Sequence, residues 1–202
     1  MAYRKPDPGY EGEFYASLAE QLACRTPALL RRGGGPGRDE RWLELENLPP
    51  ARPAHQWTPA DLLSGARMLA LVHGRFWELT ALSEERPWLP VHAPADGPVA
   101  LCHGDYRPGH IHMSEDGTKW VISWGRAHLG DPAQELVAYA RHAATLQPRL
   151  RFDGVLSAYL EILSDRLEVE ADPAWFEQAD RRSGRDRRHG PAGGSPRPPS
   201  PP

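Results

Sequence analysis

The segment from Leu101 to Pro132, "LCHGDYRPGHIHMSEDGTKWVISWGRAHLGDP", constrains the fold more than any other part of this chain. Val99 to Cys102 is a short apolar run that reads as a strand entering the triplet His103-Gly104-Asp105. Asp116-Gly117 is a strong hairpin turn signal and pairs "HIHM" with "KWVIS". Asp131 then offers a helix cap, Pro132 the first helical position and Gln134 a capping-box spacing. Asp105 is therefore expected on a loop just ahead of a rigid hairpin, where catalytic groups concentrate. Alone, the triplet fits a loop aspartate that caps a turn equally well.

The flanking sequence sets the fold class. "WTPADLLSGARMLALVHGRFWEL" predicts the best helix, with Thr58 as N-cap, Pro59 at the first position and Asp61 near the positive helix end. Leu62, Ala66, Leu69, His73 and Phe76 share one face, so His73 is expected as a satisfied core histidine rather than a ligand. "FDGVLSAYLEILSDRL" and "DPAWFEQAD" predict further helices. Upstream, Phe14, Leu18 and Leu22 recur at helical spacing from Glu11 to Ala23, followed by strand-like "TPALL" and "RWLELENL". The glycines from Gly33 to Gly37 lead from one strand-like run into another. A phosphate-cradling loop would open a helix, so a hairpin tip is expected there. The order of helix, two strands, long helix, hairpin and helices is an α+β pattern.

Composition narrows the setting. The 202 residues suffice for one ordinary domain, and no apolar run approaches the eighteen or so needed to cross a membrane. The charged N-terminus lacks an apolar signal region, which makes a cytoplasmic location the expectation. Cys24 and Cys102 lie far apart in apolar surroundings and read as two buried free thiols rather than a disulfide. A net charge of -3 argues against nucleic acid as the partner. Residues 181–202 hold six Arg and one Asp, a net of +5, which leaves -8 on residues 1–180. This Gly-, Pro- and Arg-rich end has no apolar period and is expected to be a disordered tail.

The stretch from Leu101 to Ala140 resembles the aminoglycoside phosphotransferase family, a branch of the protein-kinase-like fold that includes choline and other small-molecule kinases. The resemblance rests on the His-Gly-Asp loop, the hairpin, the second motif ending in Trp124 and the Gly-Asp-Pro helix start. "EGEFYASLA" is similar to the family's small-lobe helix, "WLELENLPP" to its interlobe linker and "RPWLP" to a segment before the catalytic loop. It implies a partial small lobe and linker over residues 1–48, and a mostly helical large lobe over 49–180. The implied chemistry is transfer of phosphate from ATP, with Mg2+, to a hydroxyl of a small molecule, with neither nucleic acid nor membrane as partner. The acidic balance of residues 1–180 suits a cationic acceptor. Asp105 matches the aspartate that takes or orients the acceptor's hydroxyl proton. His103 is expected to support the loop, and Asp131 to cap a helix. Glu11 matches the glutamate that pairs with the nucleotide-positioning lysine, and Glu46 to Leu48 match the linker whose amides meet the adenine edge.

Three departures qualify what the resemblance implies. The family's magnesium-binding Asn, five residues after the catalytic Asp, is His110 here, and its metal-binding Asp before the Trp is Ser123. Magnesium wants oxygen ligands in strict octahedral geometry, so both substitutions are expected to cost most of the rate. Asp105 and Ser123 are nevertheless expected to face one cleft. Nothing ahead of "AYRK" supplies a glycine-containing hairpin, which would leave a strand edge exposed. Lys5 stands only six residues before Glu11. It is read as an exposed terminal lysine, with the end of the lysine-bearing strand as the other reading. A pseudokinase-like binding protein, or an incomplete gene product, is the alternative function. A lesser alternative uses His110 and His112, two apart on one strand face, with Asp105 and His103 as a zinc or manganese site.

Overall fold

The computed structural model describes residues 2–7, 9–34, 41–92, 94, 97–168 and 172–186, with the side chains of 183–186 left aside. The chain begins with β1 (Ala2–Pro6), then α1 (Glu11–Ser17), β2 (Leu29–Gly33) and β3 (Trp42–Glu46), the strands forming one sheet in the order β1-β3-β2. Both pairings are antiparallel, with Lys5 opposite Leu43 and Gly33 opposite Trp42. The glycine-rich stretch thus leads from β2 to its hairpin partner rather than into a helix, although residues 35–40 lie outside the described set. β1 is a correction to the expectation for Lys5. Its five residues form an edge strand, with Tyr3 half-exposed at its outer side and the Arg4 guanidinium over the Trp42 ring at 3.9 Å. The other reading of Lys5, as the end of a strand, is the one that matches β1.

α1 is shorter than the pattern predicts. It stops at Ser17, turns through Leu18 and resumes as a 3-10 turn over Ala19–Gln21. Phe14 and Leu18 still reach the core, and the extended Leu22 does not continue the helix. The helix start is held by Asp7, whose carboxylate accepts from the amides of Glu11 (3.1 Å) and Gly12 (3.0 Å). That is favourable charge at the positive helix end.

After the linker come α2 (Pro59–Arg75), the short α3 (Leu82–Glu85), β4 (Val91–His92) and β5 (Ala100–Cys102). α2 starts as expected: the Thr58 hydroxyl accepts from the Asp61 amide and the Asp61 carboxylate accepts from the Thr58 amide. Its predicted face is buried throughout, His73 included. The hairpin strands β6 (Ile111–Met113) and β7 (Lys119–Val121) follow, then β8 (His128–Gly130) and three helices, α4 (Pro132–Leu146), α5 (Phe152–Leu167) and α6 (Pro173–Asp186). β8 lies between β4, in parallel, and β5, antiparallel. In the hairpin turn Gly117 takes φ +86 and its amide donates to Ser114 O, while the Asp116 carboxylate accepts from the Thr118 amide. His110 closes a 3-10 turn over Pro108–His110 and is not on the strand with His112, so the shared strand face is corrected. α6 runs through Asp186, six residues into the stretch expected to be a tail; residues 187–202 lie outside the described set.

The core joins these parts into one body. α2 packs along α5, and Phe14 of α1 stacks on Trp124 at 4.2 Å between ring centroids. Cys24 and Cys102 are free as expected, but only Cys102 is fully buried; Cys24 is partly exposed, and desolvation pushes its thiol up to about 12. Among the described residues no helix is long and apolar enough to cross a membrane.

Candidate active site

The loop after β5 is shaped by close approach. Gly104 takes φ +83, and a Cβ there would overlap the carbonyl oxygen of Arg126. Only glycine meets both demands. The His103 ring is buried beneath the loop, its Nε2 donating to Ile122 O (2.8 Å) and its Nδ1 accepting from the Asp105 amide (3.2 Å). Both contacts suit a neutral ring, and burial holds the imidazole below its ordinary value. His103 therefore supports the loop, as expected.

Glu135 was not singled out from the sequence, yet it is the main anchor of this loop. It lies one turn into α4, and its carboxylate accepts from the amides of His103 (2.9 Å) and Gly104 (2.7 Å) and from His73 Nε2 (3.1 Å). Burial acts to raise this carboxyl, and the hydrogen bonds from His73 and the His103 amide outweigh it, so it stays below its ordinary value. An ionised carboxylate only accepts, so His73 carries its proton on Nε2 and takes the Tyr159 hydroxyl on Nδ1 (2.7 Å). His73 is the satisfied core histidine predicted. Asp131 caps α4 by accepting from the Ala133 amide and also accepts from Trp175 Nε1. Gln134 lines a cavity instead of completing a capping box.

A second group forms where the sheet meets the hairpin. Lys5 Nζ lies 2.7 Å from Glu11 Oε2, and Glu11 Oε1 also accepts from the Trp124 amide (3.1 Å). Both side chains of the pair are largely buried, so Lys5 is a paired strand lysine and not an exposed terminal one. Ser123, just before Trp124, holds φ +68. That left-handed backbone is uncommon for Ser and several-fold enriched in Asp and Asn.

Asp105 and Ser123 each border a cavity lined by described residues. Asp105 borders a space of about 270 Å³ with His92, His128, Asp131, Glu135 and His142. Ser123 borders a space of about 360 Å³ with Tyr3, Lys5, Glu46, Asn47 and Leu48. The His103 ring ties the two segments together, its Nδ1 accepting from the Asp105 amide and its Nε2 donating to Ile122 O, next to Ser123 in sequence.

His110 and His112 part company. The His112 Nε2 donates to Pro49 O (2.7 Å), which fastens the linker to the hairpin and uses its proton for structure. His110 Nδ1 donates to the Asp105 carbonyl (2.8 Å), and Arg107 Nη2 approaches its Nε2 at 3.2 Å. Arg107 Nε lies 3.3 Å from Asp105 Oδ1. Arg107 is the other residue that sequence reasoning missed. The four-residue site imagined from His103, Asp105, His110 and His112 does not assemble. Among the described residues, the group of three such side chains with donor atoms mutually within 4.8 Å is His73, Cys102 and Glu135, buried under the loop.

A small antiparallel sheet with one buried Lys–Glu pair, a linker, and a helical body carrying an aspartate loop and hairpin together define a kinase-like phosphotransferase fold. Residues 2–178 match the model of the family described as "Phosphotransferase enzyme family", and the chain belongs to that family. Solved structures agree on the fold. An aminoglycoside-3'-phosphotransferase of type VIII is 19% identical, with 89% of this chain and 84% of that one covered and a TM-score of 0.57. The aminoglycoside phosphotransferase APH(3'')-Id from Streptomyces rimosus, solved with ADP and streptomycin, is 17% identical over 88% of this chain and 84% of that one, with a TM-score of 0.58. Macrolide 2'-phosphotransferase MphH from Brachybacterium faecium is 17% identical over 88% and 70%, with a TM-score of 0.59. No curated protein matches the sequence.

The residues present fit a nucleotide better than they fit magnesium. Lys5, held by Glu11, and residues 46–48 border one cavity and offer a cation and, past Glu46 whose amide donates to Ala28 O, linker amides. At the two metal positions stand an imidazole whose ring nitrogens are both engaged and a lone hydroxyl. Magnesium takes oxygen ligands and is bound through carboxylates, so this donor set does not suit it.

Proposed function

We propose that this protein binds ATP in the cavity bordered by Lys5, residues 46–48 and Ser123, and directs slow transfer of phosphate to a hydroxyl of a small cationic molecule at Asp105. Residues 1–48 and 49–180 would act as small and large lobes, in the cytoplasm where ATP is available. The observation that carries this reading is Lys5, 2.7 Å from the Glu11 carboxylate and on the same cavity as the linker. A lysine steadied by a buried glutamate is a fixed cation suited to phosphate oxygens. The linker would meet the adenine edge through the amides of Asn47 and Leu48, since that of Glu46 already donates to Ala28 O.

When bound, ATP supplies the group to be transferred. Asp105 would orient the acceptor hydroxyl and take its proton, while Glu135 and His103 hold the loop that carries it. The acceptor would lie in the space beside Asp105, whose lining among the described residues includes Asp131 and Glu135 and no Lys or Arg. This favours a cationic acceptor.

A second reading, ATP binding without transfer, draws support from the loss of oxygen ligands at His110 and Ser123. Calorimetry with ATP, and release and transfer of labelled γ-phosphate to a panel of aminoglycosides, macrolides and choline-like alcohols, test both. The expected result is ATP binding that Lys5→Ala weakens at least tenfold, with slow transfer. Absence of ATP binding at millimolar concentration would refute both readings.

A further inference from the structure

The geometry points to Arg107, seated on His110, as a built-in cation that takes over the charge the family draws from a metal ion at this position. The inference rests on the reading of the chain as an ATP-dependent phosphotransferase.

Local structure brings the two side chains together. Pro108 fixes the start of the 3-10 turn, and the His110 amide donates to Arg107 O (2.8 Å). Residues three apart eclipse on such a turn, so Arg107 and His110 fall on one side. The Asp105 carbonyl takes the Nδ1 proton of His110, which leaves the Nε2 lone pair as its sole possible metal ligand. That lone pair faces Arg107 Nη2 at 3.2 Å. A guanidinium keeps its charge at any working pH, so a permanent cation sits where a divalent ion would have to bind. The substitution of Asn by His therefore does more than remove an oxygen ligand. It provides the acceptor that positions an arginine.

Arg107 is also placed to act. Its Nε is 3.3 Å from Asp105 Oδ1, and its side chain remains 43% exposed. Five N–H donors exceed those two contacts, and the rest are free among the described residues to meet phosphoryl oxygens. In the reaction the acceptor oxygen forms its bond to the γ-phosphorus as its proton passes to the Asp105 carboxylate. The bond from that phosphorus to the bridging oxygen breaks, and ADP leaves with the electron pair. Charge spreads over the three peripheral phosphoryl oxygens during transfer, and fixed N–H donors there stabilise it.

The test uses the parent, Arg107→Ala, Arg107→Lys and His110→Asn, with ATP as the probe and water as the acceptor. Phosphate release reports kcat, calorimetry reports ATP binding, and thermal melting confirms that each variant is folded. Arg107→Ala should lower kcat about a hundredfold with ATP affinity within about threefold, and added guanidinium ion should restore part of the rate. Arg107→Lys should keep an intermediate rate, since it retains charge without the planar fork. His110→Asn should make the rate depend on magnesium beyond what saturates ATP, unlike the parent. An Arg107→Ala rate at or above the parent's, or no rescue by guanidinium, overturns this inference and leaves the phosphotransferase reading intact. A parent that binds ATP and releases no phosphate overturns the inference and favours binding without transfer. A parent that does not bind ATP overturns the phosphotransferase reading as well.

Discussion

Glu135 offers the most direct test of how this site is held together. Its carboxylate accepts three hydrogen bonds in a buried setting, from His73 and from the amides of His103 and Gly104. Glu135→Ala strands all three donors. A single buried donor without a partner costs about 1–3 kcal/mol. The three losses overlap because the donors share one acceptor, so a total of about 3–5 kcal/mol is expected. For a chain of this size that corresponds to a fall in Tm of roughly 6–20 °C. Glu135→Gln keeps the shape and one acceptor oxygen but turns an amide N–H toward a donor, at about 2–3 kcal/mol. Urea titration and thermal melting of the three proteins measure these costs. If Glu135→Ala loses less than about 1 kcal/mol, the carboxylate is not the anchor of the Asp105 loop.

Stability should fall on acidification in two stages. His103 is held below its ordinary value by burial, so the native form takes up fewer protons than the unfolded chain; its contribution is complete above about pH 6.5 and is lost as the pH falls below that. Glu135 is also held low, and its contribution is present above about pH 4.5 and lost as pH falls through its native value; a denaturation midpoint that stays flat from pH 7 to pH 5 would contradict the first stage. Ser123→Gly should stabilise the protein by up to about 1 kcal/mol, because relief of the left-handed backbone at φ +68 exceeds the entropy that glycine adds to the unfolded chain. Ser123→Asp with His110→Asn should make ATP binding depend on magnesium, read as a rise in Tm only when both are added. Gly104→Ala should cost at least about 2–3 kcal/mol, through its positive φ and the overlap with Arg126 O, and show as a lowered urea midpoint.

The features legible in the sequence are those decided within a few residues. The Thr58–Asp61 capping box, the Asp131 cap and the turn at Gly117 follow from side chains that bond their own neighbouring backbone, or from a residue that tolerates positive φ. The buried face of α2 follows from helical periodicity alone. The resemblance to a family added Asp105, Glu11 and the linker as candidates, because it rests on short motifs at fixed spacing. Tertiary structure decided the rest. β1 became a strand by pairing with β3, some forty residues along, and that pairing brought Lys5 to Glu11. Glu135 holds amides 31 and 32 residues away, and nothing in its own surroundings distinguishes it from a solvent-facing helix glutamate. Arg107 and His110 are close in sequence, yet their meeting depends on a 3-10 turn where a strand was expected. Propensity and capping are short-range forces that a sequence displays. The partners of a buried charge are set by which distant elements pack around it, and those are known only once the chain has closed on itself.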